Sequence, residues 1–280
     1  MDKPDHPVPA TPHQLQWHGL SVQARRLDNE DSFLGLRFNH QDLQLLGKTG
    51  AESTANADFV FAVSDGMGGA HAGEFASRVA IERITRLMPR SFKQSAQGLQ
   101  AGFEDIFAEL FDQIHRSLSF LASDPECAGM GATLSLCWFT PGWMYFAHIG
   151  DSRIYYLPAR EGGMKQITQD DTHVGWLLRK GEINERESRE HPRRKILQKA
   201  LGAGHQFVDP QVGSVAYEKG DLFLLCTDGV IEGLFDSQLL DLLRSPNAAQ
   251  AAKNPAERIV DEAVQNCGRD NTTALVVEII

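Results

Sequence analysis

Residues 58–66 read DFVFAVSDG. The unbroken apolar run FVFAV, rich in aromatic and β-branched types, predicts a strand buried on both faces over 58–64, and Asp65-Gly66 closes it with a turn. The arrangement recurs: YFAHIG runs into Asp151-Ser152, and FLLCT runs into Asp228-Gly229. Asp270-Asn271 immediately precedes the last apolar run, and Glu30-Asp31 borders an early one. A lone Asp-Gly is an ordinary turn. Three apolar runs, each closed by an aspartate, predict instead that carboxylates gather at one rim where strand ends converge.

Carboxylates held a few ångströms apart repel one another and raise each other's pKa values. Divalent cations relieve that repulsion. The ten histidines show no zinc spacing, so the expected donors are oxygens and the expected ions Mn²⁺ or Mg²⁺. The glycine after Asp65 would let a backbone carbonyl approach such an ion. Two ions bridged by one carboxylate suit hydrolysis of a phosphate ester, because together they acidify a shared water and orient its attack. The phosphate then calls for a guanidinium, which can clamp it through paired hydrogen bonds. Arg26 is the candidate, with Arg25 an equal competitor on position alone.

Outward from residue 58, two short strands are expected over 14–36, joined around 25–30, and an extended polar loop over 39–57. Helical spacing of Phe75, Val79, Ile84, Leu87 and Met88 predicts a helix ended by Pro89. A second apolar stripe from Leu99 through Phe107, Phe111 and Leu118 to Leu121 predicts a core-facing helix. Strands are expected at 132–139 and 143–149, joined by a type II turn at Pro141-Gly142, then at 153–157 and 221–226. Two helices should follow, one capped by Ser237 and one starting at Asn254-Pro255, with a stop at Gly268 and a final strand over 272–280. Hairpin-linked strands with segregated helices indicate an α+β fold of two packed antiparallel β-sheets flanked by antiparallel helix pairs. No shift in composition divides the chain, so a flexible tail over 1–13 and one domain over 14–280 are expected.

The chain has 280 residues, 27 basic and 37 acidic, for a net charge of −10. That acidity argues against non-specific nucleic-acid binding. No apolar stretch reaches the ~20 residues that span a bilayer, and the polar, Pro-rich N-terminus has no apolar core of a secretory signal. Cys127, Cys137, Cys226 and Cys267 are widely spaced without a CxxC pair, which suits buried thiols in a reducing, cytoplasmic setting. No cysteine lies in a CxxxxxR loop and no GxxxxGK loop is present, excluding thiol-nucleophile phosphatases and P-loop nucleotide enzymes. Residues 168–200 are locally basic, and a solvated helix–loop is the bland account of them.

Nine segments stand in one order: RLDNEDS at 26–32, FVFAVSDGMGG at 59–69, GEFAS at 73–77, GMGATL at 129–134, IGDSRIYYL at 149–157, ITQDDT at 167–172, HPRRKILQKALG at 191–202, LLCTDGVIEGL at 224–234 and GRDNTTALVV at 268–277. In these the chain resembles the bacterial form of the protein phosphatase 2C family, the metal-dependent serine/threonine phosphatases. The resemblance implies that Asp65 bridges two ions, that Gly66 offers its backbone carbonyl, and that Asp228 and Asp270 complete the direct ligands of one ion. Glu30 and Asp31 match an acidic pair acting through metal-bound waters, and Asp151 matches an aspartate of a weaker third site shared with Asp228. Arg26 matches the phosphate-binding arginine, which decides between it and Arg25, and residues 168–200 match a flap beside the site. The chain departs from the pattern at Met67, where larger relatives have a histidine proposed as general acid, at Ala70 with His71 one place later, and at Lys195 and Lys199 in the flap.

The implied activity is hydrolysis of phosphoserine and phosphothreonine on proteins by water activated between two metal ions. A monomer opposing a bacterial serine/threonine kinase is the expected setting. A small-molecule phosphoesterase and a partner-binding pseudophosphatase are the alternatives on the same fold.

Overall fold

The computed structural model describes residues 11–68, 71–96 and 102–280. The first strands are β1 (Gln14–Val22), β2 (Asp31–Phe38), β3 (Leu43–Leu45), β4 (Thr49–Ser53) and β5 (Asp58–Met67), followed by helices α1 (Ala72–Ala96) and α2 (Phe103–Leu121). Next come β6 (Gly131–Ala132), β7 (Leu134–Thr140), β8 (Trp143–Ile149), β9 (Arg153–Leu157) and β10 (Lys165–Gln166). Helices α3 (His173–Lys180) and α4 (Glu185–Glu190) lead to β11 (Leu201–Gly202), β12 (Gln211–Ala216) and β13 (Leu222–Cys226). The chain closes with α5 (Asp228–Gly233), α6 (Asp236–Arg244), α7 (Ala248–Ala251), α8 (Pro255–Asn266) and β14 (Thr272–Ile279).

The strands form two sheets, and every pairing between them is antiparallel. One runs β10-β9-β13-β14-β1-β4, and the other runs β11-β6-β5-β7-β8-β12 with β2 and β3 attached through β5. Strand alternation divides the apolar residues between two layers. Phe59, Phe61 and Val63 of β5 meet Phe223 and Leu225 of β13 and Leu275 and Val277 of β14 between the sheets. Val60 and Ala62 face the other way and pack under Ile84, Phe107, Phe111 and Leu118 of α1 and α2. Leu224, Cys226, Ala274 and Val276 do the same under α5, α6 and α8. Each fully buried phenylalanine contributes about 2–3 kcal/mol. This is the expected α+β layering, and it explains why β5 and β14 read as continuous apolar runs: both are central and covered on both faces.

Several local expectations need correction. Residues 39–57 are not a loop throughout: β3 pairs with β2, and β4 pairs with β1. These strands lie at sheet edges with their side chains mostly exposed, and the alternation in β3 spans only three residues, LQL, while β4, TGAES, has none. Helix α1 runs on past Pro89 to Ala96, since a proline removes one rung of the ladder without ending every helix. Phe75, placed on the buried face, is 44% exposed, and Ala76 and Ala80 are buried there instead. Leu99 lies outside the described residues, and α2 starts at Phe103. Ser237 does not cap a helix; it sits within α6, where the Phe235 N–H donates to Gln238 Oε1. Asn254 does cap α8: its Oδ1 accepts from the Glu257 N–H at 3.0 Å, with Pro255 at the first helical position. Gly142 at φ +75° fits the third position of the expected type II turn between β7 and β8, a position that favours glycine.

Candidate active site

Strand order brings the marked aspartates together. Asp65-Gly66 is not a turn: β5 runs on through both to Met67, because they pair with β2 and β6, and Asp65 stands directly opposite Asp31. Asp151 follows β8, Asp228 opens α5 directly after β13, and Asp270 precedes β14, the neighbour of β13. Arg26, Glu30, Asp65, Gly66, Asp151, Asp228 and Asp270 all line one cleft of about 550 Å³. Asp31 is not among the residues that line it. Asp31 is buried beside it, where its Oδ2 accepts from the Thr227 and Thr273 hydroxyls, each at 2.7 Å. Its Oδ1 is buried with no hydrogen-bond partner.

The electrostatics follow from this crowding. Asp65 keeps part of its surface open to the cleft but lies deep in protein. Burial first, and then the charges of Asp31, Asp228, Asp151 and Asp270, push its carboxyl well above the usual range. Burial also lifts Asp31 to about 7 against the pull of its two threonine hydroxyls, and Asp151 is raised by burial and by Asp228. Asp228 is raised to about 6 by burial, with Lys195 holding it down and Asp270 and Glu232 pushing it up. Burial alone would raise Asp270 too, but the hydrogen bond and charge of Lys195 and the charge of Arg26 outweigh it, leaving Asp270 low.

Backbone contacts hold the acids in place. The Asp65 N–H donates to Thr133 Oγ1 at 2.9 Å, and Thr133 Oγ1 lies 2.8 Å from Ser152 Oγ, next to Asp151. Burial pushes His148 down to about 4, so it is neutral. Its Nδ1 accepts from the Ser135 hydroxyl at 2.8 Å and its Nε2–H donates to the Gly150 carbonyl at 3.1 Å, fixing the turn that presents Asp151. Gly66 is required for close approach: a Cβ there would stand 1.9 Å from the Gly73 carbonyl oxygen, where α1 docks.

Arg26 and Arg25 separate cleanly. Arg26 Nε donates to Asp270 Oδ1 at 2.8 Å and its guanidinium lies 3.6 Å from Glu30, on the cleft wall. Arg25 is not among the cleft's lining residues; its backbone N–H is tied to the Gly268 carbonyl. Met67 also lines the cleft, and His71 is exposed. Two participants were not singled out from the sequence as site residues. Glu232 sits one helical turn after Asp228 on α5, and Asp228, Glu232 and Asp270 bring carboxylate oxygens within 4.8 Å of one another. Its signal was the i, i+4 acid in DGVIE. Lys195 arrives from the 168–200 segment, 3.0 Å from Glu232, 3.6 Å from Asp228 and hydrogen-bonded to Asp270.

That segment is less free as a basic surface than its composition suggests. Arg189 donates to the carbonyls of Ile231 and Leu234 and stacks over the Phe235 ring at 4.0 Å. Arg194 lies 3.8 Å from Glu232, and Lys199 pairs with Asp209. Cys137 and Cys226 are buried and their thiols pushed up by burial, and none of the four cysteines lines this cleft.

A site of this composition suits hard divalent cations: its donors are carboxylate and carbonyl oxygens, its acids repel one another, and an ammonium group already sits among three of them. The family model of protein phosphatase 2C matches residues 41–271. The serine/threonine protein phosphatase PstP of Mycobacterium tuberculosis is 34% identical over 225 residues, covering 79% of this chain and 40% of PstP. The chain thus spans less than half the length of that curated relative. The serine/threonine phosphatase stp of Listeria welshimeri is 33% identical over 219 residues, covering 77% of this chain and 82% of that one. The solved catalytic domain of PstP, in complex with two manganese ions, superposes with a TM-score of 0.71 at 27% identity, covering 96% of this chain and 100% of that one. By these matches and by its fold, the chain belongs to the protein phosphatase 2C family.

Proposed function

We propose that the protein is a metal-dependent phosphatase that hydrolyses phosphoserine and phosphothreonine on proteins. The observation that carries this reading is the convergence of Asp65, Asp151, Asp228 and Asp270 on one cleft with Arg26 on its wall. Asp65, the Gly66 carbonyl, Asp228 and Asp270 would hold two Mn²⁺ or Mg²⁺ ions, with Glu30 and Asp31 acting through water and Asp151 serving a weaker third site. Glu232 joins the set by its distance to Asp228 and Asp270. When bound, the ions supply four positive charges against the clustered acids and acidify water between them.

The chain's own residues do the rest. Asp270 holds Arg26 at the cleft wall, where the guanidinium donates to two phosphate oxygens and fixes the phosphorus. The Thr133 and His148 hydrogen bonds keep Asp65 and Asp151 from relaxing apart. Water oxygen bonds to phosphorus, the ester P–O bond breaks, and the serine or threonine oxygen leaves with a proton, without a phosphoenzyme. Residues 14–280 act as one catalytic domain, a monomer, with 168–200 as its flap. No helix among the described residues is long and apolar enough to cross a membrane. The role proposed for this activity is cytoplasmic signalling in opposition to a serine/threonine kinase.

The test is phosphate release from phosphothreonine peptides and from metabolite phosphates, with Mn²⁺ and with EDTA. Turnover of the peptides only, and only with the metal, supports the reading. Preference for the metabolites would replace it with a small-molecule phosphoesterase, and no turnover of either would leave a binding protein.

A further inference from the structure

Asp270 presents its two oxygens to two cations from different walls of the cleft. Arg26 Nε, from the β1–β2 connection, donates to Oδ1 at 2.8 Å, and Lys195 Nζ, from the flap, donates to Oδ2. Both side chains line the same 550 Å³ cleft and both stay about half exposed, at 49% and 46%. Neither is locked into the core, and the unbranched lysine stem can swing between neighbouring oxygens.

Two oxygens of a carboxylate and two terminal oxygens of a phosphate make similar demands on a pair of donors. A monoester phosphate is a dianion, and one guanidinium neutralises half of it. The flap that carries Lys195 is anchored by Arg189 to the end of α5, so the ammonium is delivered from a seated segment. Resting on the phosphatase reading above, we propose that Lys195 is a second phosphate-recognising residue, which with Arg26 clamps the substrate phosphate from two sides and favours monoester dianions over singly charged diesters.

The experiment measures initial rates on p-nitrophenyl phosphate, a phosphothreonine peptide and bis(p-nitrophenyl) phosphate at saturating Mn²⁺, for wild type, Lys195→Met and Lys195→Arg, with Mn²⁺ affinity by calorimetry alongside. Lys195→Met should raise KM for both monoesters about tenfold with kcat within about twofold, the loss of one charge-assisted contact. KM for the diester should hold, and Lys195→Arg should recover most of the monoester loss. Unchanged monoester KM, or equal loss on monoester and diester, would overturn the proposal. So would a change confined to Mn²⁺ affinity, which would assign Lys195 to the carboxylates alone. Absence of turnover of every ester by the wild type would overturn the phosphatase reading itself, and this proposal with it.

Discussion

Asp221 and Asp65 are the same residue set deep in the same sandwich, in opposite circumstances. Asp221, wholly buried, accepts from the Ala159 N–H at 2.8 Å, the Glu218 N–H at 2.9 Å and the Tyr156 hydroxyl at 2.9 Å. Asp65 has hydrogen bonds on its backbone, but what surrounds its carboxylate is burial and four other acids. The first aspartate is an internal staple, complete as the chain folds. The second is complete only with positive charge brought from outside. Burial of an acid therefore does not mark a functional site; burial without donors, among like charges, does.

The largest separation between the two should come from turnover. Asp65→Asn should cut phosphoester hydrolysis by about 10³-fold or more, the loss of several kcal/mol of charge stabilisation. EDTA should do the same to the wild type, reversibly on addition of Mn²⁺ or Mg²⁺, both read as released phosphate. Denaturant melts of the metal-free proteins should reverse the ranking. Asp221→Asn should cost about 2–3 kcal/mol by leaving buried donors unpaired, while Asp65→Asn should be at least as stable as wild type. A destabilised Asp65→Asn would erase the contrast.

The smallest expected effect is on pH. Asp58, hydrogen-bonded to Trp138 Nε1, is lifted to about 6 by burial, and Asp31 to about 7. Both bind protons more tightly folded than unfolded, so the stability they contribute is full below the unfolded value of 3.8 and is lost as pH rises through 6 and 7. Asp270, held low, has the opposite sign but finishes titrating below that range. The metal-free protein should therefore melt at lower temperature at about pH 8 than at about pH 5. Asp31→Asn should flatten that slope, and saturating Mn²⁺ should flatten it further, measured by calorimetric melting at each pH.

What the sequence showed and hid follows the same division between apolar context and long-range contact. FVFAV and LFLLC are legible as strands because central strands are covered on both faces, and the aspartates after them inherit that legibility, although β5 runs on through Asp65 to Met67. β3 and β4 leave little trace because edge strands pair through backbone and expose their side chains, and β12, also at an edge, covers Val212 and Val215 only in part. The acids of the rim could be named one by one, but the division of Glu30 from Asp31 depends on Thr227 and Thr273, far along the chain, whose hydroxyls hold Asp31. Glu232 needed α5 to be recognised as a helix rather than a turn after Asp228. Lys195 meets Asp270 across 75 residues of chain, a contact no local pattern encodes.

Manganese titrated by calorimetry into metal-free wild type, Asp65→Asn and Asp221→Asn tests the account most directly. Two ions should bind the wild type and Asp221→Asn, and binding by Asp65→Asn should collapse. Equal binding by all three proteins, or none by the wild type, would contradict it.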